Sequence, residues 1–457
     1  MLHFTLYRKT LAATVMAAAI ILILSSFSTI AHSETVNNFT VPDTINTYGN
    51  AWNGELSFDL SQNTDYSLVI MNTNGTVLSN RESDGTYGPT YNLEPNTLLF
   101  EGEPQVYDPN TAWPIWSTHL LNLASNTTED FPNVLSEHDI QYDPINNTFL
   151  TLQDYTIQVG NNSILTDKIV LVDSNGNELW SWDVFSHIPL SEASPYNQTD
   201  VVNGKTVEDF THANDLDWDY NNGIIYLNLR NTNTFYKIDQ TTGDIVWACG
   251  EFGNFTLLNA KGQQVSSLWY GSHDTKEVAP DVFTMFDNDF DNNTNPDNCH
   301  SQLLELTLNE SSMTASVNWS WEAPIQYWNT YGGATVILPN GDYLGDFGDP
   351  SHQFPQNQPW SFNNTGAVLV EVNPEGQIVR TWTFPVGYYI YRVEAITNIA
   401  NSTPTVSPTS TPPKTINSQT AVTATALIVA IVVIAILSII FILKKRTIRF
   451  MKKDSNS

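Results

Sequence analysis

A recurring β-hairpin constrains the fold of this chain more than any other feature of its sequence. Apolar residues alternate with polar ones, run into a polar turn that contains glycine, and then alternate again in segments 66–80, 168–183, 234–250 and 367–384. A fifth copy with a longer turn occupies residues 303–321. Alternation with period two around a short glycine or asparagine turn is typical of antiparallel strands. The sequence therefore predicts an all-β fold.

A second hairpin precedes most of these copies. It starts at residues 138, 212, 273 and 333, with the turns "PINN", "NNG", "AP" and "PNG" at the same place. Two hairpins make a four-stranded unit, which is the size of one propeller blade. We predict a six-bladed β-propeller over residues 61–398, preceded by an N-terminal strand region over 34–60. The segment 388–396 is expected to supply the strand that closes the ring and removes exposed sheet edges.

The N-terminus resembles a secretory signal. Arg8 and Lys9 precede an apolar run over about 11–27, and small residues follow at 31–33. A basic start, an apolar core and small residues before the cleavage point define such signals. Residues 1–33 are therefore expected to be a signal peptide, and an uncleaved membrane anchor is the alternative.

The C-terminus predicts a membrane span. Residues 421–443 carry no charge, and as a helix they would extend about 34 Å, enough to cross a bilayer. A buried core helix is the alternative for this stretch. The basic tail at 444–457 places the C-terminus in the cytoplasm, and the Ser, Thr and Pro-rich segment 399–420 predicts a stalk. The expected protein is a single-pass membrane protein with its propeller on the extracellular side.

The charge of the outer part limits its partners. The formal net charge of the chain is −30. Of the 18 lysines and arginines, two precede the signal core and six follow residue 443, which leaves ten between 34 and 420. Such a surface repels nucleic acid, and solubility in a salty or acidic medium is the simplest reason for it. Glycosylation sequons, which suit an exterior location, occur at Asn74, Asn126, Asn254 and Asn318 among other positions.

The chain has two cysteines, Cys249 and Cys299. An oxidising exterior favours a disulfide between them, closing a loop of about 50 residues. Two separate thiols are the alternative.

Three histidines share one register of the repeat. His138, His212 and His273 each stand at the first position of a first hairpin, and an aspartate follows within three residues. Equivalent positions on the inner strands of a propeller lie at one height, so we expect these histidines to converge at one mouth of the central channel. Arg230 should join them, because the turn at 221–223 brings it opposite residues 213–215.

The shared register of the histidines also has a structural interpretation. Propellers use repeated His and Asp residues for internal hydrogen bonds, although the fourth repeat has Gly332-Gly333 at this place, so the fold does not require histidine there. Zinc or copper binding is a second alternative, which a neighbouring arginine disfavours. The acidic run 287–298 lacks the glycine and glutamate of a calcium loop, which favours a solvated loop. The remaining histidines outside the register are taken as ordinary polar residues: His119, His187, His300 and His352.

At the level of motifs the sequence resembles the arylsulfotransferases that use no nucleotide sulfate donor. The resemblance covers about residues 86–396 and rests on "HANDLDWD", on Arg230 sixteen residues after Asn214, on "TGDIVW", and on "SHD" followed by "FTMFDN". It implies a six-bladed propeller that moves a sulfuryl group from a phenolic sulfate donor to a phenolic acceptor through a sulfohistidine. His273 would be the nucleophile. The residues surrounding the sulfuryl and phenolic oxygens would be His138, His212, Asn214 and Arg230, with no metal or cofactor.

The chain departs from the family in three respects. "ACGEFG" follows "IVW" where the family has an arginine and two glycines, residues 34–60 are too short for the N-terminal β-sandwich of bacterial members, and the two cysteines are 50 residues apart. Oligomeric state and acceptor preference therefore do not carry over.

The residue types suit sulfuryl transfer, because an imidazole can attack the group while a second histidine moves the proton and Arg230 and Asn214 bind its oxygens. One rival hypothesis is a non-catalytic cell-surface binding propeller. The other is a quinoprotein-like dehydrogenase, which would need a calcium site and a tryptophan at nearly every blade.

Overall fold

The computed structural model describes ten segments of the chain, namely residues 41–62, 65–83, 91–93, 96–106, 111–112, 115–192, 199–290, 299–348, 350 and 366–396. They all lie in the first of two compact units, residues 1–400. The predicted signal, stalk, membrane span and tail fall outside the described residues. Within the part that is described, no helix is long and apolar enough to cross a membrane.

The described chain is almost entirely β-structure, organised as six sheets that largely follow the order of the sequence. Strand pairs are antiparallel except for one parallel pair in each of two sheets, the third and the fifth. Sheet 1 contains β2 (Glu55–Gln62), β3 (Asp65–Asn72), β4 (Val77–Ser83), β29 (Tyr388–Tyr389) and β30 (Val393–Ile396). Sheet 2 contains β5 (Tyr91–Leu93), β6 (Thr97–Val106), β7 (Ile115–Asn122) and β8 (Thr127–Ser136). Sheet 3 contains β9 (Ile140–Asp143), β10 (Thr148–Val159), β11 (Asn162–Asp173), β12 (Glu178–Asp183), β13 (Thr199–Val202) and β14 (Lys205–Asp209).

The second half of the ring repeats this plan. Sheet 4 contains β15 (Ala213–Asp219), β16 (Ile224–Leu229), β17 (Thr234–Asp239) and β18 (Ile245–Gly250). Sheet 5 contains β19 (Thr256–Leu258), β20 (Gln264–Val265), β21 (His273–Ala279), β22 (Val282–Asp287), β23 (Gln302–Asn309) and β24 (Thr314–Glu322). Sheet 6 contains β1 (Thr44–Thr47), β25 (Ala334–Ile337), β26 (Tyr343–Phe347), β27 (Val368–Val372) and β28 (Ile378–Thr383). Short 3-10 helices span Val184–Ser186, Leu190–Glu192, Arg230–Thr232 and Ile325–Tyr327.

Strands from one end of the described chain pair with strands from the other end. Strand β30 pairs with β2, so that Val393 lies opposite Phe58. The closing of a ring by segment 388–396 stays a prediction. Strand β1 pairs with β28 on the outer side of sheet 6. Consecutive sheets contact each other, and β25 of sheet 6 contacts β30 of sheet 1. Sheet 1 begins at Glu55 and residues 44–47 belong to sheet 6. The domain boundaries, with the propeller starting at 61, stay a prediction.

The core lies between neighbouring sheets. Leu150 and Leu152 of sheet 3 pack in one cluster with Leu216, Ile225 and Leu227 of sheet 4, and all five are fully buried. Because each sheet is covered on both faces, some strands are buried along their whole length; β26 and β27 are examples. Each buried aliphatic side chain contributes about 1.5–3 kcal/mol. Stacking of sheets, and not any single sheet, therefore stabilises the ring.

The predicted disulfide is wrong, because Cys249 and Cys299 are not bonded to each other in the structure. Cys249 lies on β18 and packs in an apolar cluster with Phe235 and Trp269. Cys299 precedes β23 and is buried outside that cluster. Burial raises the pKa of the Cys249 thiol well above its usual value, which makes it an unreactive core residue.

Candidate active site

The three registered histidines lie at the starts of the inner strands of three successive sheets. His138 precedes β9 by two residues, His212 directly precedes β15, and His273 is the first residue of β21. The rings of His138 and His212 are 5.0 Å apart between centroids. The ring of Tyr391, from the closing segment, lies 6.4 Å from His138 and 5.9 Å from His273. The structure thus places His138 beside both His212 and Tyr391, and His273 on Tyr391 as well.

The backbone at two of these histidines is strained. His138 has φ +56° and His212 has φ +50°. This left-handed conformation costs an ordinary residue about 1–2 kcal/mol, whereas glycine adopts it freely. In sheet 6, Gly332 and Gly333 have φ +64° and +106° directly before the inner strand. The chain keeps histidine where glycine would be relaxed, which is typical of functional sites.

Arg230 follows β16 and is bound to neutral groups only. Its side chain is buried, and the residue is 8% exposed. Nη1 donates to Asn231 Oδ1 at 3.0 Å and Nη2 donates to the Thr330 carbonyl at 3.1 Å, while Phe290 lies under the guanidinium at 5.2 Å. Nε has no hydrogen-bond partner, and among the described residues no carboxylate forms an ion pair with this guanidinium. A buried cation held this way is a receptor for an anion.

His273 is held as a neutral imidazole with a defined tautomer. Its Nδ1 lies 2.7 Å from Asn288 Oδ1. Asn288 Nδ2 already donates to the carbonyls of Asn329 and Gly332, so its oxygen must accept the proton on Nδ1. The Nε2 lone pair accepts from the Gly332 N–H at 3.1 Å. Burial, and then the charge of Arg230, lower the pKa of His273 well below its usual value.

His212 has a different partner. Its Nδ1 lies 2.6 Å from Asp209 Oδ2, at the end of β14. The Arg230 N–H donates to the His212 carbonyl at 3.1 Å, so the histidine and the arginine share a backbone anchor. Burial would raise the pKa of Asp209, but His212 and Arg230 outweigh it and hold that pKa below its usual value. Asp209 is therefore a carboxylate in contact with the imidazole.

His138 is the most apolar of the three environments. Burial, and then His212, Arg392 and Arg230, lower the pKa of His138 well below its usual value. Glu137 Oε2 lies 3.9 Å from His138 Nδ1. Burial, and then Asp154 and Asp167, raise the pKa of Glu137 well above its usual value, which favours its neutral acid form.

Asn214 supports the site instead of facing it. Its Nδ2 donates to the Ser272 carbonyl at 2.8 Å, and its Oδ1 accepts from Asn228 at 2.7 Å. Asn228 also donates to the Ser272 carbonyl, at 3.0 Å. These bonds hold the residue that precedes His273. The expected contact between Asn214 and a sulfuryl oxygen stays a prediction.

The aspartates that follow the histidines have a separate role. Asp139, Asp215 and Asp274 converge on Arg392, with oxygen-to-nitrogen distances of 3.3, 3.1 and 3.6 Å. Asp139 also accepts from the Leu216 N–H of the next sheet. The alternative in which the repeated His and Asp residues make internal contacts of the fold thus applies to the aspartates, which link neighbouring sheets.

Sequence reasoning missed four residues of this region: Asp209, Asn288, Tyr391 and Arg392. Two signals were available, since "EDFTH" places Asp209 three residues before His212 and "FDN" ends on Asn288. Tyr391 and Arg392 occur in the segment assigned only to closing the ring.

The remaining histidines lie elsewhere, as expected for ordinary polar residues. His119 contacts Asp130, His187 stacks on Trp182, and His300 contacts a backbone carbonyl. His352 and most of the acidic run, residues 291–298, lie outside the described residues. In the described part, no group of three or more His, Cys, Asp or Glu residues has the geometry of a metal site.

A buried arginine and three imidazoles lie together where three successive sheets begin, and their chemistry suits an anion. The arylsulfotransferase (ASST) family matches residues 122–392, more than half of the chain. The chain therefore belongs to the arylsulfotransferase family, and the resemblance identified in its motifs is confirmed. No curated protein matches the chain.

Several solved structures are similar in outline. A putative 6-phosphogluconolactonase from Bacteroides fragilis is 10% identical with a TM-score of 0.36, covering 75% of this chain and 97% of its own. Apo AztD from Citrobacter koseri is 8% identical with a TM-score of 0.35, with coverage of 75% and 97%. Saccharomyces cerevisiae Sqt1 is 9% identical with a TM-score of 0.29, with coverage of 71% and 81%. Likeness of this degree says nothing about function.

Proposed function

We propose that this protein is an aryl sulfotransferase that transfers a sulfuryl group from an aryl sulfate ester to a phenol through a sulfohistidine at His273. The observation that supports it best is Arg230, a buried guanidinium without a carboxylate partner among the described residues, beside a neutral imidazole. The arginine suits the sulfuryl oxygens, and the Nε2 lone pair of His273 suits the sulfur.

In the first half-reaction His273 Nε2 attacks sulfur, and the bond from sulfur to the aryl oxygen breaks. The electron pair of that bond leaves on the phenolic oxygen, which takes a proton from a second histidine. The proton stays on His273 Nδ1 and is donated in a hydrogen bond to Asn288 Oδ1, which stabilises the positive ring of the sulfohistidine. Arg230 balances the charge on the sulfuryl oxygens. Fixed groups of this kind supply most of the rate in phosphoryl transfer, the nearest analogue.

In the second half-reaction an acceptor phenol gives its proton back to the second histidine. The phenolic oxygen attacks sulfur, and the electron pair of the bond between nitrogen and sulfur returns to His273 Nε2. No metal, nucleotide or other cofactor takes part. Gly332 must release its hydrogen bond to Nε2 before the attack, which its glycine backbone allows.

The proposal includes the architecture and the location. The six sheets and their ring of contacts support a six-bladed β-propeller. The apolar C-terminal stretch, the basic tail and the sequons support an extracellular catalytic domain anchored by one membrane helix. The four sequons named above are exposed in the structure. Protease treatment of intact cells should remove the propeller and leave a membrane-bound C-terminal fragment.

A burst experiment tests the chemistry. Enzyme given p-nitrophenyl sulfate without acceptor should release about one phenol per site and gain a sulfuryl group, as a ping-pong mechanism requires. Peptide mapping at high pH, where sulfur on an imidazole nitrogen is stable, should place the label on His273. His273→Ala should abolish both burst and label, while Cys249→Ser serves as the control that keeps both.

Two outcomes decide against the proposal in different ways. A label on His138 or His212 would keep the reaction and change the nucleophile. Neither burst nor label in a folded protein would favour a non-catalytic propeller that binds an anion at Arg230. The quinoprotein alternative requires a quinone absorbance in the purified protein.

A further inference from the structure

Two histidines of the site differ in the chemistry of their hydrogen-bond partners. His273 Nδ1 donates to a neutral amide, Asn288 Oδ1, at 2.7 Å. His212 Nδ1 contacts a carboxylate, Asp209 Oδ2, at 2.6 Å. A carboxylate partner stabilises an imidazolium far more than an amide does, because the two opposite charges attract in a buried site. The two imidazoles of the site therefore have different partners, a neutral amide at His273 and a carboxylate at His212.

The backbone of Asp209 is anchored to the segment that carries Arg230. Its backbone carbonyl accepts from Asn231 Nδ2 at 2.9 Å, and Asn231 also accepts from Arg230 Nη1. The hydrogen bond to Asp209 holds the proton on His212 Nδ1 and directs Nε2 to the opposite side of the ring. The ring of His138 lies 5.0 Å from that of His212 between centroids. His212 Nε2 is thus the atom that can pass a proton within the cluster.

Two neighbouring carboxyl groups, those of Asp167 and Glu137, show no such short contact between a carboxylate oxygen and an imidazole nitrogen. Asp167 accepts from the Thr211 hydroxyl and from the Ala213 N–H, so it anchors the backbone on both sides of His212 without contacting the ring. Glu137 lies 3.9 Å from His138 Nδ1, beyond hydrogen-bond distance. Among the described residues of the cluster, the contact between Asp209 and His212 is the short carboxylate-to-imidazole contact.

We infer that Asp209 is the positioning residue that makes His212 the proton carrier of the reaction, an inference that rests on the proposed function. Asp209 itself touches no substrate. While its Nδ1–H is hydrogen-bonded to the Asp209 carboxylate, protonated His212 gives its Nε2 proton to the phenolic oxygen as the bond from sulfur to oxygen breaks. The neutral imidazole then accepts the proton of the acceptor phenol, and the enzyme returns to its starting state.

The test uses the dependence of the burst on the leaving phenol. p-Nitrophenol leaves readily as the anion, whereas unsubstituted phenol needs the proton in the transition state. Asp209→Asn should slow the burst with phenyl sulfate about 100-fold, which is typical of lost acid catalysis. The same variant should slow the burst with p-nitrophenyl sulfate by less than about threefold, because p-nitrophenol leaves as the anion and needs little acid catalysis. The measurement is single-turnover release of each phenol by the full-length protein.

Asp167→Asn is the matched control, because it removes a buried carboxyl group beside the same histidine without altering the partner of the imidazole. It should change the two bursts by equal factors. The double variant His212→Ala/Asp209→Asn should be no slower than His212→Ala alone with phenyl sulfate, because Asp209 acts through His212. If Asp209→Asn does not fold, Asp209→Glu provides the comparison, since it keeps the carboxylate and should keep most of the discrimination between the two leaving groups.

Equal slowing of both bursts by Asp209→Asn would overturn the inference and leave Asp209 a structural residue. Additive losses in the double variant would overturn it as well. These results are distinct from failure of the proposed function, in which the unaltered protein shows no burst with either ester.

Discussion

Arg392 and Arg230 are both buried arginines, and the structure treats them in opposite ways. Arg392 is completely buried and ion-paired with Asp139, Asp215 and Asp274, which come from three different sheets. Arg230 is nearly as buried, but its hydrogen bonds go to an amide oxygen and a backbone carbonyl, and its Nε has no partner. The first guanidinium forms direct ion pairs with three carboxyl groups, whereas the second has a carboxylate nearby, that of Asp209, without an ion pair.

The difference separates structure from function within one small region. Ion pairs link Arg392, in segment 388–396, to three aspartates that lie in or directly before the inner strands of sheets 3, 4 and 5. This group of charges therefore holds these sheets together. Removing one member of such a group leaves uncompensated buried charge. Arg230 forms no ion pair among the described residues, although the charge of the nearby Asp209 carboxylate favours its charged form, so its guanidinium can also bind an anionic ligand. Four predictions test this contrast.

The largest expected effect belongs to Arg392. Arg392→Met would leave three buried carboxylates facing one another, and we expect a loss of about 3–5 kcal/mol in the free energy of unfolding, or failure to fold. Arg230→Met is the matched control and should cost much less stability, because its partners are neutral. Urea denaturation followed by tryptophan fluorescence measures both. Equal losses in the two variants would contradict the distinction between the arginines.

Arg230→Lys should reduce catalysis without unfolding the protein. Lysine keeps the positive charge but lacks the planar group that binds two sulfuryl oxygens at once. By analogy with the loss of an oxyanion donor, the barrier should rise by about 2–4 kcal/mol. The rate constant of the burst with p-nitrophenyl sulfate is the measurement, with thermal unfolding as the check on folding. Unchanged rates would make Arg230 a structural residue.

Stability should fall as pH rises from about 5 to 8. Burial raises the pKa of Asp59 to about 7 and that of Glu101 to about 8, both near Arg392. Burial also raises the pKa of Asp167 and Asp217 to about 6. A carboxyl group whose pKa is higher in the folded state binds a proton more tightly there. Its stabilising contribution is complete below its unfolded pKa and is lost as pH rises through its folded pKa.

Melting temperatures between pH 5 and 8 measure this loss. Glu101→Gln, which imitates the protonated acid, should flatten the decline. A melting temperature that rises over the same range would show that the ion pairs of Arg392 outweigh the buried acids.

The smallest effect concerns the charge of the ligand. Arg230 is one cation near the carboxylate of Asp209, so the site should prefer a monoanion such as an aryl sulfate. Phenyl phosphate becomes a dianion above pH about 6, and its inhibition constant should increase about tenfold from pH 5.5 to 8, which corresponds to about 1.4 kcal/mol. p-Toluenesulfonate, a monoanion at both pH values, is the control. Parallel changes for the two inhibitors would trace the effect to the protein.

Much of the fold could be read from local sequence. Period-two alternation and turns such as "NNG" predict hairpins, because strand pairing across a tight turn depends on neighbouring residues. The repeat of hairpins predicted six sheets, and the register of His138, His212 and His273 predicted their meeting, since equivalent positions on inner strands lie side by side. These inferences needed only spacing along the chain.

Tertiary structure alone decided the chemistry of each position. Spacing hinted at the contact between Asp209 and His212, which lie three residues apart, and at that between Asn288 and His273, which lie on one hairpin, but the direction of each side chain depends on the packing around it. Asp139 and Asp274 reach Arg392, and Asn214 reaches Ser272, from segments that only the packing of different sheets brings together. Register along a strand is a local property of the chain, whereas the partner of a buried polar group depends on which edges the packed core brings together.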